Sequence, residues 1–290
     1  MMPEFLESQE TIEWLGWTPD KAAEIWDAWK ITKSTEDQQG TIFEVEFISK
    51  VLGYIPRQVL EDSSSDWEEH MRVWGISEEL IAAIMDVEFT DVRCTKSAQY
   101  WVTETMEIRY LSLERIKEES DQRTINNHTI NPSVASSAVP RNTRVPGLQT
   151  LFKAISTERL KYRDGKINVG SLVSEGATDF RGYGAALYFA PDYQVADQYR
   201  QYIRRRAETT RALVIQLTLP NSWIEALPPP CDGIRRSLEK SGTYLSPRLR
   251  YDRRHEIYSQ FALIIAPIAH SPNKAIARLE NGRKWAFGTS

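Results

Sequence analysis

Between about Ser120 and Gly147 the chain gives up large apolar residues for Ser, Thr, Asn, Pro and Ala, as in Thr129-Ile-Asn-Pro-Ser-Val-Ala-Ser-Ser-Ala-Val-Pro. So little apolar surface cannot offset the entropy of ordering a backbone. The stretch reads as a flexible tether, residues 120–147, and it forces a two-part fold: residues 1–119 and 148–290. Charge divides at the same place. Residues 1–145 hold 27 acidic and 14 basic side chains, a balance of −13, whereas 146–290 hold 13 acidic and 22 basic, a balance of +9. A basic half can collect an anion, either a dinucleotide pyrophosphate or a nucleic acid, and an acidic half can dock against it or hold polyanions off.

The 290 residues, 41% hydrophobic, suffice for two ordinary cores. No apolar run approaches the roughly 20 residues of a membrane helix, and the acidic start Met1-Met-Pro-Glu-Phe-Leu-Glu lacks the basic and apolar regions of a signal peptide. An intracellular, cytoplasmic protein with no membrane partner is the expectation. Cys94 and Cys231 lie far apart with no Cys or His at ligand spacing, so neither a disulfide framework nor a metal is expected.

In the acidic half, Thr18-Pro-Asp opens a helix with a capping candidate, a proline at the first helical position and an acid in the first turn. Ala22, Ile25, Trp26 and Trp29 form its apolar stripe. Ile42–Leu52 fits helix or strand equally. Ser77 caps a helix reaching about Asp86, and Lys96 to about Glu119 reads as a longer one. Seven of nine tryptophans fall between Trp14 and Trp101, a concentration that suits an aromatic core or a ligand-facing groove, and their mostly amphipathic positions favour the core. His70, flanked by Glu68, Glu69 and Arg72, reads as a surface residue. No internal repeat or heptad is evident, and the half reads as an all-helical accessory domain.

The basic half alternates short apolar runs with turns and a few helices, an α+β pattern of mixed sheet. Strands are expected at Thr150–Ser156, Ala185–Ala190, Ala212–Pro220 and Phe261–Ile265, with a helix from 191 to 208. The glycines Gly182 and Gly184 open the second strand, which closes on Tyr188-Phe-Ala, and Pro191 starts the helix. Tyr188 ends a strand and Tyr199 lies about two turns into the following helix. Two phenol rings so placed can face each other across a slot and hold a flat cationic ring by stacking and cation–π attraction.

The glycine turn, the Tyr-Phe-Ala strand end and the ten residues between Tyr188 and Tyr199 resemble the diphtheria-toxin and poly(ADP-ribose) polymerase branch of the ADP-ribosyltransferases. The resemblance covers about 140 residues and is tight over some twenty. It implies a split mixed-sheet domain that binds NAD as substrate, with Tyr188 and Tyr199 sandwiching nicotinamide and Gly182, Gly184 and the first-strand residue Lys153 steadying ribose and phosphates. The family carries histidine or arginine at that first-strand position, so Lys153 is a departure. It also implies a glutamate at the start of a late strand that holds the ribose 2′-hydroxyl and stabilises the oxocarbenium charge. Glu256 and Gln260 compete for that position, and glutamine there would remove the charge.

Three functions remain open on these residues. The first is a NAD-dependent ADP-ribosyltransferase or NAD glycohydrolase whose acceptor, protein, nucleic acid or small molecule, is not specified. The second is an inactive module of the same fold that binds without cleaving. The third acts on RNA through Arg204-Arg-Arg and the run Arg248 to Arg254.

Overall fold

A computed structural model describes residues 2–39, 46–56, 67–126, 145–173, 186–226, 263–269 and 278–288. The chain forms two compact units. One comprises Met1–Thr129 with Arg204–Thr210, the other Ile130–Ile203 with Arg211–Ser290.

The first unit contains helices α1 (Gln9–Leu15), α2 (Pro19–Gln39), α3 (Phe47–Leu52), α4 (Trp67–Trp74), α5 (Glu78–Ile84), α6 (Thr90–Arg93) and α7 (Ala98–Asn126). Within 42–52 the described part is helical, and α7 runs seven residues beyond the expected helix end at 119, into the start of the expected tether. Ser8 and Ser77 cap α1 and α5, their hydroxyls accepting from the Thr11 and Leu80 amides at 3.1 and 3.3 Å. Two corners, Leu15-Gly-Trp-Thr18 and Trp74-Gly-Ile-Ser77, lie antiparallel. Thr18 donates its amide to the Gly75 carbonyl and Ser77 to that of Gly16, both at 2.8 Å, and Trp17 stands opposite Ile76. The two corners share one short pattern, apolar-Gly-apolar-Thr/Ser-x-acid, in Leu15-Gly-Trp-Thr-Pro-Asp20 and Trp74-Gly-Ile-Ser-Glu-Glu79, a likeness that the absence of a longer repeat conceals. Gly16 turns the chain at φ 123°, where a Cβ would stand 2.4 Å from Leu80 Cδ2. Trp17, Trp29, Trp67, Trp74 and Trp101 are buried, so the tryptophan concentration is core.

Residues 204–210 belong to this unit through directed bonds. Arg206, 1% exposed, donates to Glu104 Oε2 at 2.8 Å and Thr105 Oγ1 at 2.5 Å, and its guanidinium sits 4.6 Å from the Trp101 ring centroid. Arg109 grips Glu79 with both Nη groups, at 3.0 and 2.8 Å, and donates Nε to the Arg206 carbonyl at 2.9 Å. Arg205 pairs with Asp86 at 2.7 Å. A buried guanidinium keeps its place only when its desolvation is offset by close, charge-assisted bonds of this kind. Of the basic patch Arg204-Arg-Arg, two of the three side chains are therefore committed to carboxylates of the helical unit.

The second unit holds β1 (Leu148–Ser156), β2 (Tyr162–Arg163), β3 (Lys166–Ile167), β4 (Ala186–Phe189), α8 (Tyr193–Arg206, ending in the first unit's segment), β5 (Ala212–Pro220), α9 (Asn221–Glu225), β6 (Leu263–Ala269) and β7 (Arg278–Gly288). β1 pairs with β5, and β4, β7 and β6 form a three-stranded sheet in that order. One bridge, Phe152 to Ala190, joins β1 to the end of β4. Fold class is thus α+β, but every pairing among the described strands is antiparallel where a mixed sheet is expected. The reason lies in α8: it connects β4 to β5, which belong to different sheets, so it does not cross over between parallel neighbours. Leu151, Ile155, Leu160, Leu172 and Phe189 make the core, with Leu187, Leu213, Ile215, Leu217 and Leu219 against it.

Candidate functional site

The pleat decides which side chains can meet. Leu151, Lys153 and Ile155 alternate along β1 with Phe152, Ala154 and Ser156. Leu151 and Ile155 join the leucine core, as do Leu187 and Phe189 of β4. Phe152 leaves by the other face and meets Tyr193 of α8 edge-on, ring centroids 5.5 Å apart at 85°. Ala190 bridges Phe152 and so shares its face, and Tyr188, two residues earlier, leaves by that face too. Tyr188 is therefore directed to the side of the sheet on which α8 packs, and it is 6% exposed.

On α8, Ala196, Tyr202 and Ile203 are buried, as is Arg206, whose partners are Trp101, Glu104 and Thr105 of the first unit. At 100° per residue Ala196, Tyr202 and Ile203 span an arc of about 120°, and Tyr199 falls near its middle. Tyr199 is half-buried. The tyrosine pair thus consists of a strand residue on the face of Phe152 and a helix residue on the buried stripe of α8. Nearby, Asp197 accepts from Arg200 Nε at 2.6 Å and Gln201 Nε2 at 2.7 Å. Burial pushes the Asp197 carboxyl up, but these bonds and the Arg200 charge outweigh it and hold the group below its ordinary value.

Lys153 comes to the same strand from the opposite face. It stands among Leu151, Ile155 and, directly across, Ile215, and its Nζ lies 3.5 Å from the Tyr188 carbonyl oxygen. The structure brings Lys153 to the backbone of Tyr188 rather than to its ring. Gly182, Gly184, Glu256 and Gln260 lie outside the described residues, as does the run 248–254. The strand that follows Glu256 and Gln260 does have a place. Leu263 of β6 lies in one row with Phe287 of β7 and Leu187 of β4, and Ile264 in one row with Ala286 and Tyr188. The beginning of β6 and Tyr188 therefore share the same end of the three-stranded sheet.

His70 is half-buried rather than a plain surface residue. Among the described residues no group of three or more His, Cys, Asp or Glu is placed to hold a metal, and no helix is long and apolar enough to cross a membrane. One feature escapes the sequence reading altogether. β2 and β3 form a tight hairpin whose signal, Asp164-Gly165 between two short polar-apolar runs, is a strong turn dipeptide.

Compared with known proteins, the chain matches no family model, no curated protein and no solved structure.

Proposed function

We propose that the second unit is an ADP-ribosyltransferase-like domain that binds NAD and cleaves its nicotinamide–ribose bond, as a transferase or a glycohydrolase. The observation that supports this reading is the placement of two rings: Tyr188 is buried on the sheet face where Phe152 meets Tyr193 of α8, and Tyr199 lies on the buried stripe of that helix. Two tyrosines on facing elements suit a flat cationic ring, and nicotinamide in NAD is one. Nicotinamide leaves with the bonding electron pair and becomes neutral. The ribosyl C1′ takes up oxocarbenium character, and water or another nucleophile then bonds to C1′ and releases a proton. A carboxylate beside the ribose lowers the barrier by opposing that charge. Glu256, with Gln260 as its competitor, precedes β6, whose first residues stand in the rows of Leu187 and Tyr188. Lys153 acts in this scheme through the Tyr188 backbone, which its ammonium reaches.

Incubating the full chain with NAD and following free nicotinamide tests the reading. Tyr188→Ala and Tyr199→Ala are each expected to lose about 10- to 100-fold, the worth of one stacking and cation–π partner. Glu256→Gln is expected to lose about 100- to 1,000-fold, and the same loss in a Gln260 variant instead would move the role there. Full turnover in both tyrosine variants would overturn the site. The position of Lys153 on the leucine face, away from the tyrosine rings, favours a second reading, a module that binds NAD without cleaving it. Thermal protection by NAD with no nicotinamide release would select that one.

A further inference from the structure

All ten residues from Lys161 to Gly170 are exposed. The hairpin they form is sharply built: Asp164 and Gly165 both have positive φ, 53° and 72°, the geometry of a two-residue type I′ turn. Register then sorts its side chains. Tyr162 stands across from Ile167, and Arg163 across from Lys166. Adjacent pairs point to opposite faces, so one face carries Tyr162 and Ile167, 64% and 38% exposed, and the other carries Arg163, Lys166 and, two residues back, Lys161.

Like charges directly opposite on a ribbon destabilise it. Among the described residues no carboxylate forms an ion pair with Lys161, Arg163 or Lys166. Cations about 5 Å apart across the strands and about 7 Å apart along one fit successive anionic groups of a chain. A membrane or a rigid acidic surface reaches one face of such a ribbon. A flexible strand bearing both phosphates and flat rings reaches both, with its backbone on the cations and a base on Tyr162.

We infer that the hairpin 161–170 is a docking surface for single-stranded nucleic acid. It is a surface separate from Arg204-Arg-Arg, two of whose side chains are paired with carboxylates, and it stands independently of any NAD chemistry.

The test is fluorescence anisotropy with a labelled mixed-sequence 20-mer, in RNA and DNA forms, titrated with the full chain at several salt concentrations. Three phosphate contacts give a slope of log affinity against log salt of about −2. Arg163→Gln with Lys166→Gln is expected to weaken binding at least tenfold at low salt and to shrink the slope by about 1.4. Tyr162→Ala is expected to lose about tenfold with the slope unchanged, which a purely ionic surface would not show. These side chains are exposed, so an unfolding midpoint equal to that of the unsubstituted chain confirms that each variant is folded. Absence of binding at low salt, or binding indifferent to either variant, overturns the assignment. So does tighter binding to phosphatidylserine vesicles or polyglutamate than to the oligonucleotide, which would assign the hairpin to a membrane or an acidic protein.

Discussion

Arg206 and Arg163 both belong to the basic half of the sequence, yet their surroundings are opposites. Arg206 is 1% exposed and held by Glu104, Thr105 and the Trp101 ring, whereas Arg163 stands in open solvent across from another cation. A surplus of positive charge therefore says little about where cations are available. A guanidinium beside carboxylates is spent on holding the fold, and only one lacking them is open to a polyanion. The sharpest way to break the contrast is to remove each. Arg206→Ala strips the counter-charge from Glu104, whose side chain is 14% exposed, and is expected to cost about 3 to 5 kcal/mol in urea unfolding. Adding Glu104→Gln should return part of that loss. Arg163→Ala should leave the midpoint where it is, and equal effects from the two would end the distinction.

The same contrast of enclosed and open holds for the backbone. Gly16 and Gly165 both turn at positive φ, but a Cβ on Gly16 would meet Leu80 at 2.4 Å while one on Gly165 meets nothing within 4 Å. Gly16→Ala combines strain with a displaced core leucine and is expected to cost about 2 to 4 kcal/mol. Gly165→Ala suffers the backbone strain alone, about 1 kcal/mol. If the two losses came out alike, conformation rather than enclosure would govern the first unit's corners.

Much of the local structure was legible in the residues. Pro19, Ser77 and the apolar spacing of α2 and α5 are physical signals that act within a turn or two of chain, and β5 follows from its run of branched residues. The Tyr188 and Tyr199 elements were legible for the same reason. What the linear pattern did not carry is long-range: that Arg206 would meet Glu104 across a hundred residues, that two glycine corners would pair, and that Lys153 would leave by the leucine face. Each depends on register or packing, which no local propensity encodes. The hairpin is the exception in the other direction, since Asp164-Gly165 was readable and only its four strand residues are too few to show alternation.

Glu114 tests what happens to an enclosed charge whose charged neighbours are carboxylates. It is half-buried on α7. Burial first, and then the charges of Glu118 and Glu46, raise its carboxyl above the ordinary value of 4.5, and burial with Glu114, Glu7 and Glu46 pushes the Tyr110 phenol up to about 12. Asp86 is the counterpart. Its hydrogen bond from Arg205 leads the causes that hold it below 3.8. The signs follow from linkage. A carboxyl whose pKa is raised by folding costs stability when ionised, so the cost is present above its raised value and gone below 4.5. One whose pKa is lowered contributes stability above 3.8 that disappears as pH falls through its depressed value. Glu114→Gln is therefore expected to stabilise the unit at pH 7, by less than any loss above, with the gain fading toward pH 4. Asp86→Asn should destabilise it at pH 7, with the loss fading only at lower pH still. Urea midpoints across that range separate the two, and a loss from Glu114→Gln at neutral pH would show that its charge is balanced in the fold after all.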